Sequence, residues 1–146
     1  MKRFLVLMFT MMALSSCGIT NTLYYWGGDR NNTTVYELLT YKDYKSQTPQ
    51  AICGLIYTYE DMIKNPGGLR QLPPPGICAE YGYLILLPET ASTFTEYATK
   101  KQKSVFESSD YAAIFAERGK EMLNKEIEYY PESSQFILPL IKKLTR

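Results

Sequence analysis

The chain has no histidine among its 146 residues. That absence removes the usual general base near neutral pH, the serine–histidine and cysteine–histidine nucleophile systems, and every zinc site that needs imidazole. Excess charge of either sign is lacking too, since 16 Lys and Arg face 15 Asp and Glu. Nucleic-acid binders usually carry a basic stripe and a high pI, so nucleic acid is not an expected partner. Glycine and proline number only 9 and 8, too few for a low-complexity chain. The apolar run from Phe4 to Leu14, broken only by Thr10, is too short to cross a hydrocarbon core about 30 Å thick as a permanent helix. What is present is 45% hydrophobic and 14% aromatic residues in a length that suits one folded domain around one core.

The apolar run follows Lys2 and Arg3, and this order reads as a secretory signal. It ends in Leu14-Ser15-Ser16-Cys17, which resembles the bacterial lipobox: a leucine three residues before the cysteine, then two small residues that fit a narrow peptidase site. On that resemblance the signal is residues 1–16, Cys17 takes a thioether-linked diacylglycerol, and its new amino group receives a further acyl chain. No other cofactor is expected, nor a metal. One chain binds a membrane only marginally and reversibly, whereas two or more hold a protein there. An ordinary secretory signal with an unrelated cysteine is the competing reading. Gly18 follows, with no aspartate to favour inner-membrane retention, so the outer membrane, on its periplasmic face, is the expected location. Without residues 1–16 the mature chain of 130 residues carries 14 basic and 15 acidic side chains.

Residues 17–34 read as a lipidated tether, because Asn, Thr and Gly favour turns and solvated backbone. Inside it lie Tyr24, Tyr25 and Trp26, the last being the only tryptophan. Such rings suit an interface with one dry side and one wet side. Packing back on the domain, resting at the bilayer surface and gripping a partner are all open to them.

From Val35 the pattern turns helical, and residues 35–146 are expected to form one domain. Val35, Leu38 and Leu39 share a face of a weak helix ending near Lys45. Thr48 as cap and Pro49 at the first position open a stronger one, in which Ile52, Leu55, Ile56, Tyr59, Met62 and Ile63 keep the three-four spacing up to Lys64. The Pro73-Pro74-Pro75-Gly76 turn launches a third helix over 77–87, closed by Pro88. Residues 88–109 read as a partly helical insertion diluted by threonines. Ser108 or Ser109 is expected to cap a long helix that runs to Pro131. In the last helix, Pro139 predicts a kink or a delayed start.

The two long helices share an ordered pattern. Ala51-x-x-Gly54 and Ala116-x-x-Gly119 are each followed, twelve residues after the glycine, by Pro66 or Pro131. This resembles the second helix of a tetratricopeptide unit, where small side chains let neighbouring helices approach closely. Cys78, Tyr81, Gly82 and Ile85 fall at the spacing of the first helix of such a unit. Between Gly82 and Gly119, however, about 25 residues are inserted relative to the repeat. The expected fold is therefore all-α: a short tetratricopeptide-like array of helical hairpins with an insertion and a C-terminal capping helix.

Leu14 to Cys17, Tyr24 to Gly27, Pro74 to Leu84 and Tyr130 to Ser133 with Ile141 to Leu144 together resemble the small bacterial lipoproteins of domain of unknown function 4810. The resemblance implies a tetratricopeptide-like fold, no assigned activity, and the company of outer-membrane lipoproteins related to the curli secretion pore. It supplies no catalytic residues.

Other constellations have plain readings. Cys53 and Cys78 are expected at different heights on neighbouring helices, which favours buried free thiols over a disulfide. Glu60-Asp61 and Glu126 with Glu128 are read as solvated faces, and Lys100, Lys101 and Lys103 as soluble surface. Tyr57, Tyr83 and Tyr129 lie off the most apolar stripes and join Tyr24, Tyr25 and Trp26 as candidate partner-binding residues, since tyrosine offers large contact area at low entropic cost. The leading functional expectation is a non-catalytic outer-membrane adaptor binding another envelope protein. A peptidoglycan- or glycan-binding lipoprotein is the alternative, and an enzyme using carboxylates alone is the remote one.

Overall fold

A computed structural model describes residues 22–46 and 48–144. The expected signal 1–16 and Cys17 lie outside the described residues. The fold is all-α apart from one short hairpin. Strands β1 (Asp29–Arg30) and β2 (Thr33–Thr34) pair antiparallel across Asn31-Asn32. Both asparagines have positive φ, 54° and 59°, as a two-residue hairpin turn requires and as asparagine tolerates better than most residues.

Seven α-helices follow among the described residues. Helix α1 spans Val35–Ser46 and α2 spans Pro49–Lys64, with the Thr48 side chain accepting from the Ala51 N–H and proline in the first turn. Helix α3 is Ile77–Leu86. The insertion forms α4 (Thr90–Tyr97) and the single turn α5 (Lys100–Lys103), the latter held by a Thr99/Gln102 capping box. Helix α6 is Tyr111–Tyr129, and a 3-10 turn at Pro131–Ser133 leads into α7 (Ser134–Leu144).

Two expectations about helix ends are corrected. The cap of α6 is Asp110, whose Oδ1 accepts from the Ala113 N–H at 3.1 Å, while Ser108 Oγ accepts from the Asp110 N–H instead. A carboxylate is the stronger acceptor for helix N-terminal donors. Pro139 does not delay α7, which starts at Ser134 and runs through it. The carbonyl that proline leaves without a donor belongs to Gln135, and both residues are exposed, so water can satisfy it.

Two antiparallel helix pairs build the domain. In the first, Tyr36 of α1 lies against Tyr59 of α2 and Leu39 lies against Gly54. In the second, α3 and α6 form the most extensive helix interface among the described residues. There the backbones nearly touch: a methyl group at Gly82 would lie 2.8 Å from the Gly119 carbonyl oxygen. The small residues of the sequence pattern therefore sit where helices approach closest. Gly82→Ala should cost about 1–3 kcal/mol, read as a lower urea midpoint at unchanged m-value; no loss would mean that the pair can part freely.

The core joins both pairs through Cys53, Ile56, Tyr59, Met62, Ile77, Tyr81, Ile85, Phe115 and Met122. The insertion contributes to it directly. Phe94 of α4 is fully buried and makes edge contacts with Phe106, Tyr111 and Phe115 at centroid distances of 5.0–5.5 Å. A second aromatic line runs Trp26, Tyr36, Tyr59, Tyr81.

Candidate functional site

Side chains from α2, α3 and α6 meet at Glu60. Its carboxylate accepts from Tyr81 Oη at 2.7 Å, from Arg118 Nε at 2.8 Å and Nη2 at 3.1 Å, and from Lys64 Nζ at 3.1 Å. Arg118 also donates to Glu121 at 2.8 Å, and Lys64 to the Val105 carbonyl at 2.9 Å. Burial alone would raise the Glu60 carboxyl, but the bonds from Arg118 and Tyr81 outweigh it and hold it below the usual range. The expectation of a solvated face is wrong for this residue, whose side chain is 1% exposed. The carboxylate is bonded on both oxygens, which makes it a clamp between helices. Above it lies a cleft of about 410 Å³ lined by Lys64, Val105, Glu107, Ser108, Ile114 and Arg118.

Glu126 is the second correction. Also buried, it reaches from α6 to the start of α3, where its carboxylate accepts from the N–H of Gly76 at 2.8 Å and of Ala79 at 3.3 Å. Those are donors that a helix N-terminus leaves without intrahelical partners. Burial lifts its carboxyl above the ordinary range despite these bonds. Both residues look like surface carboxylates in the sequence because each flanks a polar helix position; Arg118 reaches Glu60 from 58 residues away, and the Gly76 and Ala79 donors reach Glu126 from 50 and 47.

The tyrosines are largely tied into the fold. Tyr25 donates to Asp61 at 2.8 Å, and burial followed by that bond pushes its hydroxyl up to about 12. Tyr36 and Tyr59 share Glu80 at 2.6 and 3.1 Å. The Trp26 ring lies tilted against Tyr36 at a centroid distance of 5.4 Å, and Tyr24 lies half-buried beside Tyr130, whose hydroxyl donates to the Pro73 carbonyl. Of the tether expected over 17–34, the part from Thr22 onward thus lies folded against the domain, because its rings and backbone find partners there. Packing back on the domain is the arrangement observed for Tyr25 and Trp26.

The remaining candidates are not brought together. Tyr57 is half-buried with Lys101 over its ring at 5.4 Å, Tyr129 is half-buried on α6, and Tyr83 of α3 is 45% exposed. No ring contact joins the three among the described residues. Cys53 and Cys78 are buried free thiols, and burial, with Glu126 adding to it, pushes the Cys78 thiol up to about 12. Among the described residues no group of three or more acidic or cysteine side chains is placed to hold a metal ion, and no helix is long and apolar enough to cross a membrane.

Sequence reading missed an open groove of about 350 Å³ between α3, α4, α6 and α7, lined mostly by apolar residues with polar atoms contributing as much of its surface. Leu86, Leu87, Phe115, Ala116 and Leu144 line it, with Lys120 at its side. The signal was available in part: Ala112 and Ala116 form a small-residue stripe leading to Gly119, and exposed alanines beside leucines leave room. No family model, no curated protein and no solved structure matches the chain.

Proposed function

We propose that the chain is a lipoprotein of the bacterial outer membrane, anchored through acylated Cys17, whose helical-hairpin domain is tetratricopeptide-like and serves as a non-catalytic adaptor in an envelope or secretion assembly. The observation that carries this reading is the groove. It is open, lined mostly by apolar residues with polar atoms contributing as much of its surface, and bounded by both helices of the second pair together with α4 and α7, with Lys120 on its wall. Such a surface suits a helical segment that presents leucine-sized side chains beside a carboxylate. Exposed Tyr83 stands one helical turn before Leu86 and Leu87 and extends the same side of α3. The family resemblance makes a lipoprotein of the curli-secretion-pore type the first partner to examine.

The test is site-specific photocrosslinking of the full chain in its native host, with the reactive side chain at Tyr83, at Lys120 and at Tyr57. One envelope protein should crosslink from Tyr83 and Lys120 and not from Tyr57. Ala116→Arg fills the groove from an exposed position and should remove the adduct while the circular dichroism spectrum stays unchanged. Equal adducts from all three positions, or an adduct indifferent to Ala116→Arg, would refute the groove as the binding surface.

A further inference from the structure

The first described residues are pinned to the turn that follows α2. The N–H of Leu69 donates to the Thr22 carbonyl and the N–H of Arg70 to the Leu23 carbonyl, both at 3.1 Å. Gly68 makes this approach possible: its φ is +71°, and a methyl group there would lie 2.7 Å from the Leu23 oxygen and 2.8 Å from the Thr22 oxygen. Gln71 Nε2 closes the turn on the Gly68 carbonyl at 2.7 Å. Just beyond, Tyr25 and Asn65 both hold Asp61, and Gly67 packs on the Tyr25 side chain. Backbone and side chains together fix where the segment from Cys17 meets the domain.

The two paired segments each carry an exposed leucine. Leu23 is 49% exposed and Leu69 is 65% exposed, and Arg70 next to them is exposed as well. Single exposed leucines are ordinary. Two of them held in register by a glycine-dependent turn, beside a guanidinium, form a small surface with the chemistry of a lipid interface: apolar tips and a donor for phosphate oxygens.

Chain length decides which occupant meets it. From Cys17 to Thr22 is five residues, which span at most about 18 Å when fully extended. A domain of this size has a diameter of about 35 Å. A tether of half that length cannot bring the far side of the domain to the bilayer, and it keeps the Leu23 and Leu69 pair close to the anchor. We propose that Leu23, Leu69 and Arg70 form a membrane-contact surface that seats the domain on the bilayer holding its own lipid anchor. The leucines enter the boundary between headgroups and acyl chains, and Arg70 pairs with lipid phosphate. This rests on the lipoprotein reading above and adds an orientation to it: the turn after α2 faces the membrane.

The experiment uses the full lipidated chain in vesicles of phosphatidylethanolamine and phosphatidylglycerol. An environment-sensitive fluorophore is attached at Leu69→Cys and, separately, at Gln50→Cys and Leu138→Cys, all exposed positions. Native Cys53 and Cys78 are fully buried and do not compete for label. Gln50 lies near the other end of α2, about 21 Å along its axis from Lys64. Quenching by lipid-borne nitroxide should be at least about three-fold stronger at Leu69 than at either other site, as expected for a side chain at the acyl boundary. Adding Gly68→Ala, which forces the turn off the Thr22 and Leu23 carbonyls, should shrink that difference. The mass of the Cys17 peptide is read on the same sample. A lipidated chain with equal quenching at the three sites overturns the membrane seat alone, whereas a chain without acyl mass on Cys17 overturns the lipoprotein reading and the seat with it.

Discussion

Arg118→Ala should lower the folding free energy by about 3–5 kcal/mol in urea denaturation at pH 7, since it strips a buried carboxylate of its main partner. Glu60 would keep Tyr81 and Lys64, but the Lys64 side chain is half exposed and its attraction is screened by water. The pH dependence gives the sign. In the wild type the carboxyl is held below its ordinary value of about 4.3. The stability it contributes is therefore fully present above that value and is lost as pH falls through the lower folded one. Without Arg118, burial dominates and the carboxyl rises above its ordinary value, so the deficit should be greatest at neutral pH and shrink as the pH drops and Glu60 takes a proton. Replacing both partners, Glu60→Gln with Arg118→Met, should recover most of the loss, because no buried charge then stands alone. A single-variant cost under about 1 kcal/mol at pH 7, in the range of an exposed ion pair, would show that water reaches Glu60 freely.

Phe94→Ala should cost about 3–5 kcal/mol, the loss expected for emptying a fully buried aromatic position. The residue belongs to the stretch that interrupts the hairpin pattern, and a decorative insertion would tolerate the change within about 0.5 kcal/mol. Phe94 instead fills the space between α2 and α6, with Phe106, Tyr111 and Phe115 around its ring and no exposed surface. Thermal and urea unfolding should both report the loss in one cooperative transition. A separate early transition confined to α4 and α5 would mean that the insertion folds as an appendage.

The helices were legible wherever local signals agreed. Thr48, Pro49 and the spacing from Ile52 to Ile63 specify Pro49–Lys64 because cap, first-turn proline and apolar face all act within one turn of their targets. The small residues Gly54, Gly82 and Gly119 announced close helix approaches for the same reason, since a missing side chain has few uses inside a helix. The carboxylates misled. Glu60 and Glu126 carry no local mark of burial, and what makes it affordable is an arginine 58 residues away and the N-terminus of another helix.

The sequence alone determined the absence of imidazole chemistry and the span of the helix from Pro49 to Lys64, and it favoured free thiols at Cys53 and Cys78, because each depends on residue type and on spacing along the chain. Only the tertiary structure decided that residues from Thr22 onward fold against the domain, that Phe94 completes the core, and that a groove opens beside Ala116. Those outcomes depend on which surfaces meet across dozens of residues, and hydrophobic burial, being non-directional, leaves no periodic trace of its partner.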